Sequence, residues 1–308
     1  MTAKILVTGG AGFIGSHLVE GLLAKGYTVR VMDNLASGRK DWVHPESEFI
    51  EADICDANAC LRAAEGMDAI FHMAAMSRAG PSLDNIEICT QSNIIGTQNI
   101  LVASRAKKVG KVVYSGSSTY YGNQPAPHFE YETPSQFLNF YALTKYMGEQ
   151  YTLMFDNIFR LPAVVLRYFN VYGPRQPQEG AYALVLGIFL KRWLENKPLV
   201  IHGEGRQRRD FIHVRDVVRA NIMALESDVH GQIFNVGSGT NISIQELADL
   251  ISKNQVHQQR RPGDAEITLA DIRRITAALG WRPEISFDDG LREMMSSVKA
   301  DMLQLAPL

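Results

Sequence analysis

Tyr141 and Lys145 form a Tyr-x-x-x-Lys pair. If residues 140–155 are helical, positions four apart share a face, so the phenol and the ammonium address one point. An isolated phenol titrates near about pH 10. A neighbouring ammonium favours the phenolate, which makes Tyr141 a base usable near neutral pH. Upstream, the turn Ser115-Gly116-Ser117-Ser118-Thr119-Tyr120-Tyr121-Gly122 leaves the end of a strand pattern. It puts the Ser117 hydroxyl where it can bond the oxygen that Tyr141 would deprotonate. A Tyr-x-x-x-Lys spacing alone is most often a surface helical pair, so the case rests on what surrounds it.

What surrounds it is a phosphate-binding turn. In Thr8-Gly9-Gly10-Ala11-Gly12-Phe13-Ile14-Gly15, glycines 10, 12 and 15 satisfy G-x-G-x-x-G, and glycines 9, 12 and 15 satisfy G-x-x-G-x-x-G. Such a turn needs a tight bend, close backbone approach to a pyrophosphate, and amides at a helix start facing the anion. A strand pattern precedes this one and a helical pattern follows. Asp33, at the end of the second strand pattern, lies eighteen residues past Gly15. Its carboxylate can accept both ribose hydroxyls and would repel a 2′-phosphate, which favours NAD over NADP. Arg39 is the one nearby residue that pulls the other way.

The elements that must position these groups alternate. Strand patterns at 4–8, 28–32, 49–52, 69–72, 111–115 and 163–167 are separated mostly by helical patterns, the first at 13–25. This βαβ alternation predicts an α/β fold, a Rossmann-type doubly wound parallel sheet, with its ligands along the carboxyl edge. The character changes near Gly173. Helices are expected at 184–195, 243–253 and 271–279, with a turn-rich stretch up to Arg209 and a late strand at 233–236 returning to the sheet. The expected organisation is a dinucleotide-binding unit of residues 1–173, with 207–240 returning to it. A smaller C-terminal substrate-binding α/β unit would comprise 174–206 and 241–308.

Composition narrows the partners. The 308 residues carry a formal net charge of -2, which argues against nucleic acid. Arg206-Gln207-Arg208-Arg209 and Arg260-Arg261 are too short for a duplex tract but long enough for a pyrophosphate. Three cysteines, Cys55, Cys60 and Cys89, without a Cys-x-x-Cys, predict neither a disulfide framework nor a metal site. The longest apolar run, 182–190, is far shorter than the ~18 residues of a membrane span. With no leader pattern before the first strand, the expectation is a cytoplasmic protein.

Taken together, these motifs resemble the extended short-chain dehydrogenases/reductases of the NAD-dependent epimerase/dehydratase family. They are most similar to its nucleotide-sugar 4-epimerases acting on UDP-glucose or UDP-N-acetylglucosamine. The similarity runs from Lys4 to about Pro283. It is carried by the glycine turn, Asp33-Asn34-Leu35, Asp53-Ile54, His72-Met73-Ala74-Ala75, Asn93-Ile94-Ile95-Gly96-Thr97 and the serine-rich turn. It continues through Tyr141 to Lys145, Arg167-Tyr168-Phe169-Asn170-Val171-Tyr172-Gly173-Pro174-Arg175, Gln207-Arg208-Arg209-Asp210-Phe211, Asn235-Val236-Gly237-Ser238-Gly239 and Arg261-Pro262-Gly263-Asp264.

The resemblance implies roles. Ser117, Tyr141 and Lys145 would be catalytic. Gly9, Gly12, Phe13, Ile14, Gly15, Asp33, Asn34, Ser37, Gly38, Met73, Ala74, Ala75, Asn93, Ser115 and Tyr168 would line NAD, with Asp53 and Ile54 at the adenine. Asn170, Arg209 and Arg261 would hold the substrate diphosphate, and Asp264 the ribose. Val200 and His202 would flank the uracil, and Ser118 and Thr119 would face the sugar. A homodimer through the helices around 84–107 and 140–155 is implied as well.

The resemblance also separates reactions. Related 4,6-dehydratases carry Asp-Glu after the turn's catalytic hydroxyl, and related decarboxylases carry a glutamate. Ser118 and Thr119 supply no carboxylic acid, so elimination lacks its proton donor. Oxidation, rotation of a 4-keto sugar and reduction from its other face remain. After Gln176, Pro177-Gln178-Glu179 offers no cation for a glucuronate carboxylate. Thr268, four past Asp264, stands where a tyrosine excludes N-acetylated sugars, so UDP-N-acetylglucosamine and UDP-N-acetylgalactosamine are the expected pair. The alternatives are a glucuronate 4-epimerase, dehydratase or decarboxylase of the same family, or a non-enzymatic NAD sensor. Phe140, Ser77-Arg78-Ala79, Asn85-Ile86 and Gly187 depart from the family pattern, and Arg78 could meet an acidic sugar.

Overall fold

The computed structural model describes residues 2–77, 79–132, 136–180, 183–259 and 265–305. The chain opens with β1 (Lys4–Thr8), α1 (Phe13–Ala24), β2 (Thr28–Asp33), β3 (Glu48–Glu51), α2 (Ala57–Ala63) and β4 (Ala69–His72). Next come α3 (Ala79–Asp84), α4 (Ile86–Thr90), a π-helical segment (Gln91–Gly96), α5 (Thr97–Ala106), β5 (Lys111–Ser117), α6 (Phe140–Phe159) and β6 (Ala163–Tyr168). The remainder comprises β7 (Asn170–Tyr172), α7 (Val185–Leu194), β8 (Leu199–His202), β9 (Arg208–Arg209), β10 (Phe211–His213) and α8 (Val214–Glu226). The last elements are β11 (Gln232–Val236), β12 (Ile242–Ser243), α9 (Ile244–Ile251), β13 (Gln255–Gln258), α10 (Arg273–Leu279) and α11 (Phe287–Leu305).

Seven strands form one parallel sheet in the order β11-β6-β5-β4-β1-β2-β3. The order reverses direction between β1 and β4, the switch point at which open α/β sheets bind ligands. Side chains alternate across the sheet: Ile5 and Val7 enter one apolar cluster and Leu6 the other, as do Val113 and Val112. Burial on both faces is why these strands read as continuous apolar runs. One face is covered by α1 and α8, the other by α2 and α5.

A third apolar cluster joins Leu186, Phe189 and Leu190 of α7 to Leu199 and Ile201 of β8, Leu247 and Ile251 of α9, and Leu291 and Met294 of α11. It contains most of the C-terminal material. Ile275 of α10 and Trp281, by contrast, pack into the main core. The stretch expected to be only turn-rich holds β8, which pairs with β13, and β9, which pairs with β12. The helix α8 and the long α11 carried no assignment from the sequence pattern.

Gly187, a departure from the family pattern, has a local reason. A Cβ there would run into the Pro177 carbonyl oxygen, so glycine lets the loop after β7 close on α7.

Candidate active site

Strand register brings the site together. Thr8 of β1 lies beside His72 of β4, His72 beside Tyr114 of β5, and Ser117 beside Tyr168 of β6. The glycine turn springs from this edge. Gly9 adopts φ +71° and donates its N–H to Met32 O at 2.8 Å. A Cβ on Gly9 would lie 2.8 Å from the Ala74 nitrogen, and one on Gly15 would overlap the Gly9 carbonyl oxygen. Gly12 at the cap of α1 has no side chain to occupy the first-turn amides. This cradle fits a pyrophosphate at a helix start.

Asp33 accepts the Ala11 N–H at 3.0 Å and the Leu35 N–H at 2.8 Å. Burial pushes its carboxyl above the usual range, against those two amides. Asn34 donates to Asp53 at 2.7 Å, and Cys55 N–H to the same carboxylate at 2.8 Å. Burial raises Asp53, but the Cys55 amide and Asn34 outweigh it and hold it below its ordinary value. Arg39 forks onto Asp41 at 2.9 and 2.7 Å, so its guanidinium is already engaged by a carboxylate. A Cβ at Gly38 would sit 3.0 Å from Ala11, which folds the loop with Ser37 and Gly38 against the glycine turn.

Three expected cofactor residues have side chains engaged within the protein. Asn93 is 1% exposed. Its amide accepts Met76 N–H at 2.8 Å and donates to Met76 O and Thr144 Oγ1 at 3.0 Å each, so it braces the loop after β4 against α6. The Tyr168 hydroxyl is turned inward and donates to Asn221 Oδ1 at 2.8 Å. The Ile54 side chain is buried and packs against Gly96 in the core.

His72 joins these elements. Thr97 donates its hydroxyl proton to Asn93 O at 2.7 Å, so the 2.9 Å bond from His72 Nε2 to Thr97 has the ring as donor. The other ring nitrogen accepts from Thr8 Oγ1 at 2.8 Å. The ring is therefore neutral, and burial pushes it from 6.5 down to about 3. An unfolded chain binds one more proton there between those values, so this part of the stability is lost as pH falls from 6.5 towards about 3. His72→Gln should remove one proton from the acid slope of denaturant midpoints measured against pH. An unchanged slope would contradict the neutral ring.

Asn139 caps α6 by accepting the Ala142 N–H at 2.9 Å. Tyr141, in the first turn, donates its own N–H to Ser82 Oγ at 3.1 Å. One turn on, Lys145 is 2% exposed, with Nζ 4.2 Å from the centre of the Tyr114 ring. Its carbonyl accepts the Tyr114 and Tyr120 hydroxyls at 3.1 and 3.2 Å, which pins α6 to β5. Burial pushes the ammonium down to about 7, and Glu149 is the largest influence opposing it. Ser117 ends β5 with Oγ 2.8 Å from Thr119 Oγ1.

Towards the C-terminal cluster, Asn170 Nδ2 donates to Asp210 O and to Thr268 Oγ1, both at 3.0 Å. The same Thr268 oxygen accepts the Asp210 N–H at 3.1 Å. The Asp210 carboxylate receives Ser238 N–H at 2.7 Å and Ala270 N–H at 2.9 Å, and burial pushes it up to about 6. Arg209 lies on β9 with Nη1 3.0 Å from Arg208 O. On β8, Leu199 and Ile201 are buried while Val200 and His202 share the opposite, half-buried face. Arg261, Asp264 and Arg78 lie outside the described residues.

The sequence reading missed the Arg167–Glu149 ion pair and the anchoring role of Asp210. The ion pair had a signal: Arg167 sits inside the buried strand Ala163–Tyr168, where a charge needs a partner.

The sequence profile of the NAD dependent epimerase/dehydratase family matches residues 5–237. The chain belongs to that family. It is 35% identical over 303 residues to a putative UDP-glucose 4-epimerase of Methanocaldococcus jannaschii, covering 96% of this chain and 98% of that one. It is 34% identical to a UDP-N-acetyl-alpha-D-glucosaminuronate decarboxylase of Bacillus cytotoxicus, over 95% of this chain and 97% of the relative. The UDP-glucose 4-epimerase of Thermotoga maritima, solved with UDP-glucose, superposes with a TM-score of 0.93 at 34% identity, covering 97% and 99% of the two chains. The UDP-N-acetylglucosamine 4-epimerase of Methanobrevibacter ruminantium, solved with UDP-N-acetylmuramic acid, gives 0.92 at 34% identity, covering 98% and 100%. As a member of this family, the protein is an NAD-dependent enzyme acting on nucleotide sugars. Among the described residues, no cluster could hold a metal ion and no helix is long and apolar enough to cross a membrane.

Proposed function

We propose that the protein interconverts UDP-hexoses at C4 and that its substrates are UDP-N-acetylglucosamine and UDP-N-acetylgalactosamine, with UDP-glucose and UDP-galactose as the further pair. The observation that carries this reading is the turn after β5. Ser117, Ser118 and Thr119 present hydroxyls there, and Ser117 Oγ and Thr119 Oγ1 are hydrogen-bonded to each other at 2.8 Å. No carboxylic acid stands in that turn to expel water from the sugar.

In this reading Ser117 orients the C4 hydroxyl and Tyr141 removes its proton, with Lys145 stabilising the phenolate. A bound NAD would supply the acceptor, and then the donor, of the C4 hydrogen as a hydride. Between those events the keto sugar turns over, so that the hydride re-adds to the opposite face of C4, and Tyr141 returns the proton to the C4 oxygen. Arg209, Arg261 and Asn170 neutralise and hold the diphosphate, since guanidinium forks suit phosphate oxygens. Asp264 holds the ribose, and Val200 and His202 flank the uracil. Residues 1–173 with 207–240 hold NAD, and the C-terminal cluster holds the nucleotide sugar. Small Thr268, tied to Asn170, leaves room for an acetamido group.

Incubation with a panel of UDP-hexoses, without added NAD, tests the reading. The 4-inverted partner should form with unchanged mass. A product lacking water would assign a dehydratase instead, and one lacking carbon dioxide a decarboxylase.

The free thiols Cys55, Cys60 and Cys89 suit a reducing compartment, and we place the protein in the cytoplasm. We also propose a homodimer. Val102 on α5 and Met154 and Ile158 on α6 are 47%, 56% and 55% exposed, an apolar face on two neighbouring helices. Sedimentation at micromolar concentration should show a dimer, and Met154→Glu with Ile158→Glu should dissociate it. A monomeric wild type would contradict this.

A further inference from the structure

Glu149 lies one helical turn beyond Lys145 on α6 and is fully buried. Arg167 of β6, 2% exposed, meets its carboxylate with two bonds, Nη2–Oε1 at 2.6 Å and Nε–Oε2 at 2.9 Å. The remaining Arg167 arm donates to Tyr121 Oη at 2.8 Å, and Tyr121 donates to Asn235 Oδ1 at 2.7 Å. Removing two charges this far from water is costly, and a well-packed apolar pair would hold α6 to β6 at least as well. Adhesion alone does not account for the pair.

The neighbour that gains is Lys145. The Lys145 ammonium lies over the Tyr114 ring of β5, and the groups that interact with its charge are neutral His72 of β4, the Cys89 thiol of α4 and Glu149, four residues on along its own helix. Among these described groups Glu149 is the carboxylate. We propose that Glu149 is a positioning residue for the proton step at Tyr141: clamped by Arg167, it fixes the depth of α6 on the sheet and supplies the countercharge of Lys145. The proposal rests on the Tyr141–Lys145 reading above. Its direction agrees with the balance at Lys145, where burial lowers the ammonium and Glu149 opposes it.

The test uses NAD-loaded enzyme in two forms. Glu149→Gln removes the charge and leaves Arg167 unpaired. Glu149→Met with Arg167→Met removes both charges and avoids that destabilising remnant. For each, kcat/KM and tyrosinate absorbance are followed against pH, with Tyr141→Phe subtracting the other phenols. Without the countercharge, Lys145 loses its proton earlier. The alkaline limb should move down by about one pH unit or more, and the Tyr141 tyrosinate signal should move up by a similar amount. Activity at about pH 8 should fall roughly tenfold, with KM within about twofold, and Glu149→Asp should restore part of the loss. Folded, NAD-loaded variants with unmoved limbs and an unmoved tyrosinate signal would overturn the proposal. The tyrosinate readout needs no sugar, so a wild type inert towards every UDP-hexose would sink the epimerase reading and still leave Glu149 judged.

Discussion

Replacing Tyr141 with phenylalanine should lower kcat by about a thousandfold while leaving fold, NAD content and KM near wild type. The substitution removes one oxygen and keeps the ring. The backbone bond from Tyr141 N–H to Ser82 Oγ, at 3.1 Å, does not depend on that oxygen, and neither does the Asn139 cap. Loss of stability should therefore stay within about 1 kcal/mol, the usual size of one hydrogen bond. What disappears, in the proposed mechanism, is the group that takes and returns the proton of the C4 hydroxyl. Lys145 cannot substitute for it, because the residue is 2% exposed and its ammonium is held against the Tyr114 ring. A double variant with Lys145→Met should lose little more, since the two residues act as one unit. Turnover that survives Tyr141→Phe within tenfold would place the base elsewhere and end the mechanism proposed above.

How much of this was legible in the sequence follows from the range of the forces involved. The strand patterns were readable because parallel strands buried on both faces must be apolar along their whole length; 69–72 was placed to the residue. The glycine turn was readable because a Cβ at Gly9 would meet the Ala74 backbone and one at Gly15 the Gly9 carbonyl, contacts that only glycine avoids. Strands β8 and β9 were hidden because β8 is four residues long, β9 two, and their partners β13 and β12 lie far along the chain. Helix α8 begins at a histidine cap, His213 accepting the Arg215 N–H, which the usual Ser, Thr, Asp and Asn signals do not flag. Within the site, a motif gives position but not side-chain direction. Asn93 sits in the π-helical segment and Tyr168 ends β6, and the amide of the first and the hydroxyl of the second turn inward to buried partners. A buried polar atom must be satisfied, and the residues that satisfy it, Thr144 and Asn221, lie more than fifty positions away in both cases.

Thr268→Tyr should cut turnover of the N-acetylated UDP-hexoses by about a hundredfold relative to the non-acetylated pair, because inserting a phenol in a 9% exposed site overpacks the pocket. Bulk is only half of what changes. The Thr268 oxygen accepts the Asp210 N–H and the Asn170 amide, and a tyrosine cannot reproduce that short-range bridge. A loss of the bridge alone would leave a buried N–H unpaired, at about 1–3 kcal/mol, and would loosen Asn170, to which the proposal gives the diphosphate common to every UDP-sugar. Thr268→Val separates the two effects, because it deletes the oxygen and adds no volume. It should weaken both sugar pairs equally through KM. Thr268→Ser, which keeps the oxygen, should behave as wild type. The size argument therefore stands on the ratio of acetylated to non-acetylated turnover, measured side by side in the tyrosine and valine variants. If the tyrosine variant lowers both pairs by the same factor as valine, Thr268 acts only as a bridge to Asn170, and the room for an acetamido group lies elsewhere.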